Sequence, residues 1–219
     1  MTRYLAPPDV RAFYDRFGRR QDGQAFYEDD ALAALVDHSD LHKAEAVVEF
    51  GCGTGRFAVR LLRDVLPSTA RYAGCDLSEG MIAIARERLA SFGDRVSLWH
   101  CDPHPDLSPG RPPFDAIIAT YVLDLMAPEG VAAFLEEAAR CLEAGGQLCL
   151  VSLTFGDTPV SQLTSLIWSG IFHINPRLVG GCRPIDLWPV LEDAGWTIHW
   201  HRIVRAWGIP SEVVIATRS

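Results

Sequence analysis

Three acidic residues, Glu49, Asp76 and Asp102, each stand at or near the end of a short apolar run, and Gly51, Gly53 and Gly55 follow the first of them. Glycines at that spacing let backbone N–H groups approach a ligand where a side chain would block the way. An acid closing the second run suits the paired hydroxyls of an adenosine ribose, because one carboxylate accepts two hydrogen bonds. The glycines alone are a weak signal. Gly53, Gly55 and Ala58 also satisfy the GxGxxA form of dinucleotide enzymes, so a nucleotide-dependent oxidoreductase is the competing reading at this point.

These residues need strands and helices to hold them. Val47, Val48 and Phe50 make a buried strand, and Phe57, Leu61, Leu62 and Val65 recur at helical spacing beyond the glycines. A second strand is expected over 70–76, followed by a helix over 77–89 with Ser78 as its N-cap. Further strands are expected over 95–102, 114–123 and 147–153, the last opened by Gly145 and Gly146. Between the last two, Val131, Phe134, Leu135, Ala138 and Leu142 define one face of a helix. Strands alternating with helices imply an open, doubly wound α/β sheet that binds its ligand at the carboxyl ends of the strands.

In this order the chain resembles the class I S-adenosylmethionine-dependent methyltransferases, and most of all the small-molecule branch that includes the ubiquinone/menaquinone C-methyltransferases. VVEFGCGTG is similar to the family's first motif, GCDLSEGMI to the second, HCD to the third, FDAIIATYVLDLM to the fourth and RCLEAGGQLCLVSL to the fifth. The resemblance covers roughly residues 10–155 and 184–217. It implies a Rossmann-like, mostly parallel seven-stranded sheet with an antiparallel last strand. S-adenosyl-L-methionine is then the cofactor and S-adenosyl-L-homocysteine its product. It further implies that Glu49 orients the loop and the cofactor's amino end, that Asp76 holds the ribose, that Leu77 lies against the adenine and that Asp102 accepts from the adenine amino group. Gly51, Cys52, Gly53, Gly55, Met81, Cys101, Pro103, Thr120 and Tyr121 complete the expected cofactor site.

Composition agrees with one enzyme domain. The chain has 219 residues, enough for a sizeable core, and its net charge of −8 opposes binding to nucleic acid or an anionic membrane surface. No apolar run suggests a signal peptide or a membrane span, so a cytoplasmic protein, monomer or homodimer, is expected. The six cysteines show no CxxC pair and no Cys/His cluster at metal spacing, so no metal is expected.

The segments outside the core decide what the core acts on. Residues 1–43 read as a helical cap of two short helices broken at GRRQDGQ; residues 44–154 read as the cofactor-binding core. Residues 155–183 read as a lid-like insertion and 184–219 as a helix with a closing strand pair around a GIPS turn. Leu163, Leu166, Ile167, Ile171 and Ile174 fit one face of an insertion helix, with Trp168 and Phe172 beside it. Tyr27, Trp168, Phe172, His173 and Arg183 are the expected acceptor-binding residues, and Tyr14, Asp124 and His173 the catalytic candidates. No general base stands out. The sequence after the fourth strand lacks the Asn/Asp-Pro-Pro-aromatic motif of nucleic-acid amino methyltransferases, which leaves a small, apolar or aromatic acceptor. A cofactor-binding regulatory subunit without turnover is the non-enzymatic alternative.

Overall fold

The computed structural model describes residues 4–218; residues 1–3 and 219, which belong to the expected terminal segments, lie outside the described residues. Seven strands form one sheet: β1 Ala46–Phe50, β2 Arg71–Asp76, β3 Val96–His100, β4 Phe114–Thr120, β5 Leu142–Leu153, β6 Trp196–Ala206 and β7 Ile209–Arg218. Their order is β3-β2-β1-β4-β5-β7-β6, and β7 runs antiparallel to both its neighbours. That antiparallel strand separates the fold from the all-parallel dinucleotide-binding sheet. Every residue of β1 is buried, as a central strand covered on both faces must be. Phe50 stands level with Cys75 on one side and Ala119 on the other, so the carboxyl tips of β1, β2 and β4 meet at one edge. The chain reverses its winding between β1 and β4, which opens the crevice there.

The helices are α1 Pro7–Phe17, α2 Ala25–His38, α3 Arg56–Arg60, α4 Glu79–Leu89, α5 Pro128–Cys141, α6 Pro159–Ile174 and α7 Leu187–Asp193. Ser78 caps α4 by accepting from the Met81 N–H at 3.0 Å. Several boundaries differ from expectation. The helix after the glycines is one short α-helical piece that continues as a π-helical turn over Leu61–Val65. β3 stops at His100, and β4 at Thr120 because Tyr121, with φ at 52°, turns the chain away from the sheet. Helix α7 starts late, which places Pro189 in its first turn, where its missing N–H costs nothing. The β6–β7 turn falls on Trp207 and Gly208, both at positive φ, so that of GIPS only the glycine belongs to it; Ile209 and Pro210 already belong to the ladder.

The insertion helix departs most from its sequence pattern. Its buried face carries Ser161, Ser165 and Phe172, while Leu163, Leu166, Ile167 and Ile174 are exposed. The cause is a close approach of backbone: the Gly156 N–H donates to Ser165 Oγ at 3.2 Å, and a Cβ on Gly156 would stand 2.1 Å from the Ser161 carbonyl carbon. Only small side chains fit under that crossing, so hydrophobic periodicity is overridden by steric fit. The apolar face read from the sequence is therefore turned largely outward, with only Ile171 half-buried.

No residue of helix α1 is fully buried, although Phe13, Tyr14 and Phe17 are half-buried. Polar ties hold it over the strand tips: Asp15 accepts from Ser78 Oγ and the Gly80 N–H, Arg11 pairs with Glu79 at 3.0 Å, and Asp9 with Arg177 at 2.9 Å. The following 3-10 segment, Gly18–Gln24, is anchored by Asp22, which takes Arg88 at 2.6 Å and the Thr54 hydroxyl at 2.6 Å. Among the described residues no helix is long and apolar enough to cross a membrane.

Candidate active site

The glycine loop is shaped by what presses on it. A Cβ on Gly51, whose φ is 77°, would come within 2.8 Å of the Val122 side chain, so both the backbone conformation and the neighbour demand glycine. The Gly51 and Cys52 N–H groups both donate to the Cys75 carbonyl at 2.9 Å, which ties the loop to the tip of β2. Asp76 completes the tie: one carboxylate oxygen accepts from the Gly53 N–H at 2.9 Å and the other from the Ser78 N–H at 2.8 Å. Each oxygen keeps a second lone pair, and the residue faces the cavity.

That cavity measures about 230 Å³ and lies at the carboxyl edge of the sheet under α1. One end is polar, with Asp76, Ser78 and the exposed Asp102; the other is apolar, with Leu5, Val10, Val122, Leu125 and Met126. Gly51, Leu77, Cys101, Pro103, Thr120, Tyr121 and Tyr14 also line it. A smaller recess of about 40 Å³ behind the loop takes Glu49, Cys52 and Gly53, and shares Gln21, Gly51, Thr120 and Tyr121 with the main cavity. Gly55 and Met81 line neither; Gly55 packs against Ala85 and Leu89, and Met81 is on the buried face of α4. His100, left without a role by its sequence, hydrogen-bonds the Leu77 carbonyl at 2.9 Å and so steadies the loop beside Asp76.

The structure places the expected acceptor residues elsewhere. No residue of 155–184 lines the cavity; its cover comes from the N-terminal residues Leu5, Pro7, Val10, Arg11 and Tyr14. The Trp168 indole N–H donates to the Cys182 carbonyl at 3.0 Å, inside an apolar cluster with Tyr27, Leu153 and Ala206. Phe172 is buried beside Tyr4, and exposed His173 bonds the Ser169 carbonyl and faces a separate outer groove. Arg183 donates to the Asp124 carbonyl at 2.9 Å and lies over the Tyr4 ring, while Tyr27 meets Tyr121 edge-on. The insertion thus buttresses the cap from behind, with Leu5 against Gly181 and Phe13 against Gly180. Sequence reasoning missed Gln21, Leu5, Val10, Leu125 and Met126, whose approach depends on how the cap docks and leaves no local pattern.

Asp124 is wholly buried and does not line the cavity. Its Oδ2 accepts from the Leu153 N–H at 3.2 Å, and its Oδ1 has no partner. Burial pushes its pKa up to about 7. Tyr14 points its hydroxyl at the Cys182 sulfur, 3.7 Å away, and burial with the nearby thiol drives its ionisation well above the usual phenol range.

Four carboxyls around the crevice share one electrostatic condition. Burial raises Glu49 to about 8, Glu28 and Asp124 to about 7, and Asp76 to about 6. An acid whose folded pKa exceeds its unfolded value keeps its proton in the native state after the unfolded chain has lost it. Its contribution is therefore present at low pH and is lost as pH rises from about 4 towards the folded pKa. The ligand-free protein is expected to melt at progressively lower temperature between pH 5 and 8, and Glu49→Gln to flatten that slope. Thermal denaturation across this range checks it; a melting temperature that rises with pH would contradict the assignment.

Comparison with known proteins accords with this geometry. A methyltransferase domain family matches residues 47–146. The chain is 28% identical over 141 residues to a ubiquinone/menaquinone biosynthesis C-methyltransferase, UbiE, of Geobacter sulfurreducens, covering 62% of this chain and 51% of that one. It is 34% identical over 138 residues to highly reducing polyketide synthase 40 of Fusarium pseudograminearum, covering 57% of this chain and 5% of the synthase. The chain thus spans about half of the first relative and a small part of the second. Among solved structures, magnesium protoporphyrin IX methyltransferase from Synechocystis PCC 6803 with bound S-adenosylhomocysteine superposes with a TM-score of 0.64 at 21% identity, over 97% of this chain and 86% of that one.

Proposed function

We propose that the chain is a class I S-adenosylmethionine-dependent methyltransferase domain and that it transfers the methyl group to a small, apolar or aromatic acceptor. The observation that carries this reading is one continuous cavity with acids at strand tips at one end and an apolar wall at the other. The residues present fit the cofactor. Asp76 and Asp102 offer acceptors for ribose hydroxyls and an adenine amino group, Leu77 lines the same cavity, and Gly51 presents bare backbone to it. Glu49, in the recess behind the loop, suits the amino end.

S-adenosylmethionine supplies an already activated methyl group, so no covalent enzyme intermediate is needed. The chain's own work is positioning. Val10, Val122, Leu125 and Met126 exclude water from the apolar end, and Tyr14 presents its ring there. Holding two reactants in line is worth about 7 to 11 kcal/mol in favourable cases. Neither Tyr14 nor Asp124 is a ready base at the cavity wall, which favours an acceptor atom that arrives reactive, as a thiolate, amine or phenolate does. Asp124, one oxygen unpartnered, is the acid that stands behind this wall. A cytoplasmic monomer or homodimer suits six free cysteines.

Incubation with radiolabelled S-adenosylmethionine and a metabolite extract, with mass identification of the labelled product, tests the proposal. Transfer to an apolar small molecule is expected. Cofactor binding without transfer to any component would favour a regulatory subunit instead. Asp102→Asn is expected to weaken cofactor binding roughly tenfold, the scale of one charge-assisted hydrogen bond, and to leave acceptor affinity nearly intact. Titration calorimetry with S-adenosylhomocysteine checks the first part; a change in acceptor affinity alone would displace Asp102 from the adenine end.

A further inference from the structure

At the opposite edge of the sheet a second recess of about 400 Å³ opens among the first residues of four parallel strands, Ala46, Arg71, Val96 and Phe114. Three arginines line it, Arg71, Arg95 and Arg111, against one carboxylate, Asp94. The whole chain has 20 basic and 28 acidic side chains, so this recess inverts the charge balance of the protein. Arg95 is held in place by two carbonyls, with Nε on Ala70 at 3.0 Å and one Nη on Pro67 at 2.9 Å, and keeps its other Nη free. Among the described residues the guanidinium groups of Arg71 and Arg111 have no hydrogen bond or ion pair. Arg111 sits at a φ of 65°, a left-handed conformation that a non-glycine residue seldom adopts, and its N–H is pinned to the Ser108 carbonyl at 3.0 Å.

We propose that this recess is a binding site for a phosphate monoester, separate from the methyl-transfer cavity. Three guanidiniums offset by Asp94 leave two positive charges, which a phosphate monoester matches at neutral pH and a single carboxylate does not. Guanidinium forks match phosphate oxygens, and the fixed Arg95 loses little freedom on binding. The Ser97 hydroxyl adds a donor or acceptor at the rim, and the half-buried Val96 gives the organic part an apolar contact. The volume exceeds what an inorganic ion fills, which is why an ester is assigned.

Phenyl phosphate, inorganic phosphate and benzoate are the probes, titrated calorimetrically into the full chain saturated with S-adenosylhomocysteine so that the cofactor end of the methyl-transfer cavity is filled; binding at its apolar end is told apart by its indifference to substitution of Arg71 and Arg111. Phenyl phosphate is expected to bind, more tightly than inorganic phosphate, and benzoate to bind at least about tenfold more weakly than phenyl phosphate. Arg71→Gln combined with Arg111→Gly is expected to weaken phenyl phosphate at least about tenfold, glycine being chosen because it accepts the positive φ. Affinity for S-adenosylhomocysteine should not move in the double variant. If the double variant fails to fold, Arg71→Gln alone serves, with the same direction of effect. No heat at millimolar phenyl phosphate, equal binding of benzoate, or undiminished binding in a folded variant would overturn the proposal.

Discussion

Replacing Asp76 by Ala is expected to lower affinity for S-adenosylmethionine and S-adenosylhomocysteine by at least about a hundredfold. The carboxylate has two duties in the same place. It receives the Gly53 and Ser78 N–H groups, which fixes the glycine loop and the start of α4, and it faces the cavity with its remaining lone pairs. A hydrogen bond to a charged group contributes roughly 1.5 to 3 kcal/mol, and about 1.4 kcal/mol is tenfold in affinity, so the loss of even two such bonds reaches that size. Asp76→Asn should fall between, because its amide nitrogen must face one of the two backbone donors. Titration calorimetry on folded variants decides the matter, and an unchanged dissociation constant for Asp76→Ala would sink the assignment.

Gly51→Ala is expected to cost a comparable amount by a different route. The new Cβ would meet Val122 at 2.8 Å from a backbone at φ 77°, where side chains are strained even without a neighbour. Overpacking costs about 1 to 3 kcal/mol and a non-glycine residue in a sparsely populated conformation a similar sum. Because Val122 lines the apolar end and Gly51 the loop, relief of the clash shifts both binding regions. Cofactor affinity and turnover should both drop, and Val122→Gly in the Gly51→Ala background should restore part of the cofactor affinity. A double-mutant cycle measures that coupling; strictly additive effects would mean that Val122 is not what the Cβ strikes.

Both variants test residues that can be read in the sequence, and the reason they can is physical. Glycines at 51, 53 and 55 and acids at 49, 76 and 102 are bound to strand tips by local chain geometry, since a parallel strand must end where its ligand-binding loop begins. The individual strands are legible for the same reason, since alternation and apolar runs are local; their seven-stranded arrangement with one antiparallel strand is what the family resemblance implies. Ser78 as N-cap needs only its neighbour three residues on.

The acceptor side is different. Insertion residues 163, 166, 167 and 174 form a regular apolar stripe, yet the crossing of Gly156 over Ser161 and Ser165 turns that stripe outward. Trp168, Phe172 and Arg183 have the chemistry of a pocket wall and instead brace the cap, because Gly180 and Gly181 let Phe13 and Leu5 settle against the insertion. The cap then supplies the cover that the insertion was expected to provide. Asp124 could be identified as an acid near the fourth strand, but its burial and its unpartnered oxygen follow from the Leu153 N–H and the Arg183 contact across the fold. By itself the sequence determined the sheet, the glycine loop and the acids at its edge, since local periodicity and loop geometry carry them. Only the tertiary structure decided which segment closes the cavity and which groups meet at its apolar end, because those depend on steric fit between surfaces far apart in the chain.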